Sequence, residues 1–294
     1  MFNFIKGFLK TLLSIAPPVG IRIAYYLFCY PVFTKIRSRE RRIREKSKQR
    51  SVRIGNRIIK TMSWGKGTKK VLLIHGWGAN GGSLGGFTEP LNKLDYTVFT
   101  FDGPAHGQSS GRFTNIIEFS EIITTFLKNQ SFDLVISHSF GSAAVVKALY
   151  DHPEIHIHKI IMLTTPDRLE EIIQGFTNTM NISETNTEKL MQYISNKFGV
   201  DVDQMVVNRM IATIKVDHAL LIHDINDRVL SFEGAKRVSQ AADNVILQPV
   251  NGLGHYRILW DNEVIQVCTN FLRLNGSLDN HSMSSFKEVI RHLE

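Results

Sequence analysis

The sequence predicts an α/β fold: a mostly parallel central sheet with helices on both faces, a helical insertion and an N-terminal helical arm. Three observations predict it. Between about residues 51 and 273, short apolar runs of β character alternate with stretches of helical periodicity. Such alternation implies a parallel sheet covered by crossover helices. Several of these runs end in loops holding His, Asp, Ser and Gly, where open parallel sheets place reaction sites. One run, residues 134–136, leads through Ser137-His138-Ser139-Phe140-Gly141 directly into a helical segment at 142–149.

The elements follow in order. Phe2, Ile5, Phe8, Leu9, Leu12, Leu13 and Ala16 recur at helical spacing with Lys6 and Lys10 on the other side, and Pro17-Pro18 ends that helix. Residues 23–33 form a second apolar stretch containing Tyr25, Tyr26, Phe28, Tyr30 and Phe33. Neither stretch supplies the roughly 18 uninterrupted apolar residues of a spanning helix. No small-residue cleavage pattern follows the first, so no secretory signal is expected. A basic run begins at Lys35. Residues 51–64 supply the first strands. A strand at 71–75 precedes a helix near 84–93. A strand at 97–101 precedes a helix at 114–129, whose buried face is Ile116, Ile117, Phe119, Ile122, Ile123, Phe126 and Leu127. Strands at 134–136, 159–163, 219–223 and 245–249 complete the sheet. Residues 165–217 interrupt the alternation with three helical patterns, at 168–180, 187–198 and 202–214. Candidates for their inner face are Ile172, Ile173, Phe176, Leu190, Met191, Ile194, Phe198, Met205, Val206 and Met210. The chain therefore divides into an arm (1–50), a body (51–273) and a C-terminal segment (274–294) read as a linker and a short helix at 284–293.

The turn at Ser139 has the residue types of a nucleophile elbow. A backbone bent sharply enough to expose Ser139 Oγ brings residues two positions to either side together, and those are the small Ser137 and Gly141. The helix that starts there points free N–H groups at any oxyanion formed on the turn. The other strand-end loops read His75-Gly76-Trp77-Gly78, Asp102-Gly103-Pro104-Ala105-His106-Gly107, His223-Asp224-Ile225-Asn226-Asp227 and Gly252-Leu253-Gly254-His255.

With these motifs in this order, residues 51–273 resemble the α/β-hydrolase superfamily in its Ser-His-Asp branch, esterase- and lipase-like. The resemblance implies Ser139 as nucleophile, His255 as general base and then acid, and Asp227 as the carboxylate that holds the imidazole. It implies an oxyanion hole made of the backbone N–H groups of Phe140 and Trp77. It also implies that 165–217 caps the site. Ser137 and Asp224 depart from the glycines of the family pattern, and Ser142 is a further departure. Asp224 reads as a surface turn residue or as an alternative acid. His75 and His106 read as turn-packing residues, and His138 as a neighbour of the nucleophile without a triad role. The Gly-rich loop at 76–78 lacks the lysine and spacing of a nucleotide cradle.

The expected activity is hydrolysis of a small-molecule acyl compound, a carboxylic ester, through an acyl-enzyme on Ser139, with no cofactor and no metal. His152, His156 and His158 cluster, but without the companion ligands of a metal site they read as a solvated strand edge. Thioesterase, amidase, acyltransferase and carbon–carbon hydrolase chemistry share the triad, whereas a dehalogenase would carry Asp at position 139. A non-catalytic binding protein that keeps the fold is the rival of another class.

Charge is divided unevenly. Residues 1–70 hold 18 Lys and Arg against 2 Asp and Glu; the remainder holds 17 against 25. An acidic body thus carries a basic arm. The arm reads either as an interfacial segment on an anionic membrane surface or as helices packed on the body or a second subunit, with the charged run solvated. Apolar aromatics ahead of the charge disfavour a nucleic-acid role. Cys29 and Cys268 sit in apolar runs and read as buried free thiols, which fits a cytoplasmic protein, at the inner face of the membrane if the arm binds lipid.

Overall fold

The computed structural model describes residues 2–32 and 36–273. The C-terminal linker and the helix expected at 284–293 lie outside the described residues. The arm forms α1 (Phe2–Ile15), α2 (Pro17–Phe28) and α3 (Ser38–Glu45). A hairpin of β1 (Lys48–Ile54) and β2 (Arg57–Trp64) leads to β3 (Lys69–Ile74), α4 (Thr88–Lys93) and β4 (Tyr96–Phe101). Then come α5 (Ile116–Asn129), β5 (Leu134–His138), α6 (Phe140–Asp151) and β6 (Ile157–Leu163). The insertion contributes α7 (Leu169–Met180), α8 (Glu184–Phe198) and α9 (Val207–Ile211). The chain continues through β7 (Val216–Asp224), α10 (Phe232–Gln240), β8 (Val245–Val250), α11 (Gly254–Arg257) and α12 (Asn262–Arg273).

The eight strands form one sheet in the order β1-β2-β4-β3-β5-β6-β7-β8. β1–β2 and β2–β4 pair antiparallel; every other pair is parallel. Alternation along the strands fills two cores. In β3, Leu72 and Ile74 join the core that includes α5 and α6, while Val71 and Leu73 join the one that includes α4 and α12. The helix expected at 114–129 begins two residues later, because Asn115 Oδ1 accepts from the Ile117 and Glu118 amides at 3.0 Å each and caps it there.

Three expectations are corrected. The third cap helix is a 3₁₀ turn followed by the short α9: Val206 bridges to Arg168, and the Val207 amide bonds to Asp167 O, which pulls the chain out of helical geometry between them. The prolines at 17 and 18 end α1 but also start α2, where a missing N–H costs nothing. The histidine cluster lies at the foot of β6, an internal strand rather than an edge, where His156 and His158 share the carboxylate of Asp217 at 2.7 and 2.6 Å.

The arm packs on the body. Leu9, Leu13, Ile21, Ala24, Tyr25 and Cys29 are buried in the larger core. Tyr25 meets Tyr193 of α8, and Phe28 meets Phe176 of α7, with ring centroids 5.4 and 5.3 Å apart. The basic run is not simply solvated either. Arg44 is buried and bonds bidentately to Asp102 at 2.7 and 2.9 Å. Glu40, also buried, accepts from Asn80 Nδ2 at 3.2 Å, Trp64 Nε1 donates to Ile43 O at 2.9 Å, and Arg39 stacks over Trp260.

Candidate active site

β5 runs into α6 through Ser139, whose φ of +53° is a conformation that non-glycine residues avoid. The bend is held from several sides. The Ser139 amide donates to Leu163 O of β6 at 2.9 Å. A Cβ on Gly141 would stand 2.4 Å from His75 O, and one on Gly76 would stand 2.9 Å from His138 Nδ1, so the β3 and β5 loops touch only because both residues are glycine. Ser137 fits where the family pattern has glycine: it is fully buried, its Oγ 3.4 Å from Ile161 O.

The turn brings Ser139, His255 and Asp227 together. Ser139 Oγ lies 3.0 Å from His255 Nε2, and His255 Nδ1 lies 2.7 Å from Asp227 Oδ2. Asp227 Oδ1 accepts from the Val229 and Leu230 amides at 2.7 and 3.2 Å. Burial pushes this carboxyl up, but the His255 bond and charge and the two amides more than offset it, holding it below the ordinary carboxylate range. An ionised Asp227 accepts from Nδ1–H, which leaves Nε2 as the acceptor for the serine proton.

Asp224 is not a surface turn residue, and His255 Nδ1 meets Asp227 rather than Asp224. It is fully buried, and its oxygens accept from the Asn226, Leu253 and Gly254 amides. One carboxylate thereby ties the Asp227 loop to the His255 loop and sets the distance between them. His138 has a related task. Its Nε2 donates to His255 O at 2.9 Å, and burial pushes its pKa down to about 3, so it stays a neutral brace against His255.

The other two loop histidines hold the loop that carries Trp77. His75 Nδ1 donates to Gly76 O at 2.7 Å while Nε2 accepts from the Gly103 amide at 2.8 Å. His106 Nδ1 donates to Pro104 O at 2.9 Å while Nε2 accepts from the Gly78 amide at 3.0 Å. These partners fix the neutral tautomers, and burial agrees, pushing His75 down and His106 to about 3. Trp77, between the two braced glycines, packs edge-on against Phe140 at 4.9 Å. Among the described residues, neither the Trp77 nor the Phe140 amide donates to a protein acceptor.

Ser139 and His255 open onto a cavity of about 890 Å³ with mostly apolar walls. Of the expected inner-face residues of the cap, Ile172, Phe176, Ile194, Phe198 and Met205 line it. Ile173, Leu190, Val206 and Met210 are instead buried and hold the cap together. A further wall escapes sequence reasoning: Ile5, Tyr25, Phe28, Cys29, Tyr30 and Val32 of the arm line the same cavity. Asp102 and Arg44 were also not legible as a pair. Asp102 Oδ1 accepts from the Gly81 amide and Arg44 Nη1 donates to Asn80 Oδ1, so the arm anchors the segment that follows Trp77.

Known proteins share this fold. A putative lipase from Acinetobacter baumannii superposes with a TM-score of 0.61 at 18% identity, over 82% of this chain and 96% of that one. A membrane phospholipase A described as a bacterial virulence factor superposes at 0.60 and 19% identity, over 92% of this chain and 98% of that one. In sequence, a 96-residue stretch is 32% identical to the dihydrolipoyllysine-residue acetyltransferase component of the acetoin cleaving system of Cupriavidus necator. It covers 31% of this chain and spans a quarter of that relative. The family model described as alpha/beta hydrolase fold matches residues 69–276, from the first parallel strand through the last described helix, and by that match the chain belongs to the alpha/beta hydrolase fold family.

Proposed function

We propose that the protein is a serine hydrolase that cleaves a carboxylic ester through an acyl-enzyme on Ser139. The observation that carries this reading is the linked pair of contacts, Ser139 Oγ to His255 Nε2 at 3.0 Å and His255 Nδ1 to Asp227 at 2.7 Å, at the mouth of an apolar cavity. In this reading Ser139 Oγ attacks the ester carbonyl carbon while its proton passes to His255 Nε2. The tetrahedral oxyanion is held by the Trp77 and Phe140 amides, each worth roughly 3–4 kcal/mol of transition-state stabilisation. The C–O bond to the alcohol breaks, and the alcohol leaves with the proton from His255. Water, deprotonated by the same imidazole, attacks the acyl-enzyme, and the carboxylic acid departs as Ser139 regains its proton.

The apolar walls favour the acyl part of the substrate over a polar leaving group, in keeping with the lipase and phospholipase among the structural neighbours. A fluorophosphonate probe tests the nucleophile. Wild type and Ser137→Ala are expected to label, and Ser139→Ala is not. Equal labelling of wild type and Ser139→Ala, or none in wild type, overturns the reading. A chain-length series of matched oxygen esters and thioesters then separates esterase from thioesterase activity.

A further inference from the structure

The apolar surface of α1 is wider than its contact with the body. Leu9 and Leu13 are buried, and Ile5 and Leu12 are half-buried beside them. Phe4, Phe8 and Ile15, spaced i, i+4, i+11, form a second stripe next to the first, with Phe4 78% and Ile15 76% exposed. Val19 extends the uncovered surface onto α2. Three large side chains aligned on one helix face are more than the scattered exposed apolar residues of an ordinary surface. The exposed Lys10 and Arg22 stand on these helices, and Arg41 and Arg42 are exposed on α3 with Arg37 exposed at its N-cap.

Two arm residues belong to both the outside and the cavity. Val32 is 74% exposed and Tyr30 is exposed, yet both line the cavity that holds Ser139. The arm is thus at once the carrier of an uncovered apolar stripe, the carrier of the positive charge, and the cavity wall that reaches the surface. Among the described residues no helix is long and apolar enough to cross a membrane, so the arm's geometry is that of a segment lying in an interface.

We infer that α1 and α2 rest on an anionic lipid bilayer, and that the acyl chain of a membrane-borne lipid ester reaches Ser139 through the portal at Tyr30 and Val32. This deepens the hydrolase reading and rests on it for the substrate, but not for the membrane surface. The bilayer is the favoured occupant because the stripe comes with cations, which complement lipid headgroups and would repel a second copy of the same arm. Each methylene moved from water into the cavity strengthens binding about fourfold, so the cavity rewards a long chain that the bilayer already holds.

The test uses the full chain and the variant Phe4→Ser/Phe8→Ser/Ile15→Ser, whose changes fall on exposed positions outside the cavity. Co-sedimentation is measured with vesicles of phosphatidylcholine alone and with added phosphatidylglycerol. Hydrolysis is measured on a water-soluble butyrate ester and on a long-chain ester embedded in the same vesicles. Wild type is expected to sediment with the anionic vesicles, and more weakly with neutral ones. The triple variant should lose at least about tenfold in both vesicle binding and vesicle-borne turnover while keeping its butyrate rate. Equal vesicle binding by variant and wild type overturns the inference. So does a stripe that proves to be a self-association surface: a dimer that the triple variant converts to monomer, with no vesicle binding in either. If wild type binds vesicles but hydrolyses neither ester, the hydrolase reading fails and the membrane surface stands.

Discussion

The elbow and the arm meet at one cavity but are specified in opposite ways. The Ser139 turn is set by short-range chemistry: a buried strand, two small residues flanking the serine, and a helix that begins at once. The arm is set by partners far along the chain, with Arg44 reaching Asp102 and Tyr25 reaching Tyr193. A local turn can be built only from a few residue types, so its sequence is diagnostic. A tertiary anchor needs only one residue among many similar ones, and nothing in a run of five arginines at 37–44 marks which is buried.

The largest effect should separate the two aspartates of the acid loop. Asp227→Asn removes the charge that holds the His255 tautomer and is expected to lower kcat by about 10⁴-fold with the fold intact. Asp224→Asn leaves Ser139, His255 and Asp227 in place and loosens the tie to Leu253 and Gly254. It should act mainly through stability, lowering Tm while kcat falls far less. Steady-state rates and thermal melts on both variants decide this. Similar kcat losses would mean that the two carboxylates share one role.

Next comes the anchor of the arm. Arg44→Ala leaves Asp102 as an uncompensated buried charge, which costs about 3–5 kcal/mol. Burial pushes that carboxyl up, and only the Arg44 bonds and charge with the Gln108 and Gly81 amides bring it below its ordinary range. Denaturant unfolding of Arg44→Ala beside Arg41→Ala, which removes an exposed arginine from the same helix, checks the figure. Equal losses would show that the position is interchangeable with its neighbours.

Much of this molecule was legible because periodicity and loop chemistry agreed. The strand order could not be read, but the alternation of strands and helices and the elbow followed from periodicity and residue types at strand ends, and the pairing of Asp227 with His255 from the family resemblance that those motifs carry. Asp224 was misread because its place in a polar loop said nothing of the Leu253 and Gly254 amides that bury it. The arm's apolar stripes were visible at helical spacing; that one stripe packs on the body, that the other is left bare, and that Phe28 and Val32 wall the cavity depend on α7, α8 and the elbow being in place.

The arm's wall should affect substrate choice more gently. Phe28 sits between the arm and Phe176 of the cap and lines the cavity. Phe28→Ala removes a side chain worth about 1.5–3 kcal/mol of apolar contact, so kcat/KM for a long-chain ester should fall roughly ten- to a hundredfold. The butyrate rate should change little. A uniform loss at every chain length would indicate that the arm supports the fold without shaping the pocket.

The most gradual effect concerns the histidines that brace the elbow end. His106 and His138 are buried with pKa values near 3, whereas an unfolded histidine titrates near 6.5. As pH falls below about 6.5, the unfolded chain takes up protons that these two imidazoles refuse in the folded state. Stability is therefore lost on acidification between about pH 6.5 and 3, at roughly 1.4 kcal/mol per pH unit for each histidine. Asp102 and Asp227, both held low, add to the loss only below about pH 4. Denaturant unfolding of wild type and His106→Gln, at intervals between pH 6 and 4.5, isolates the effect. His106→Gln is expected to be less stable at pH 7 and to have a shallower slope by roughly 1.4 kcal/mol per pH unit. An unchanged slope in His106→Gln would mean that the imidazole titrates in the folded protein much as it does in water, and that a neutral His106 is not what holds the Gly78 amide beside Trp77.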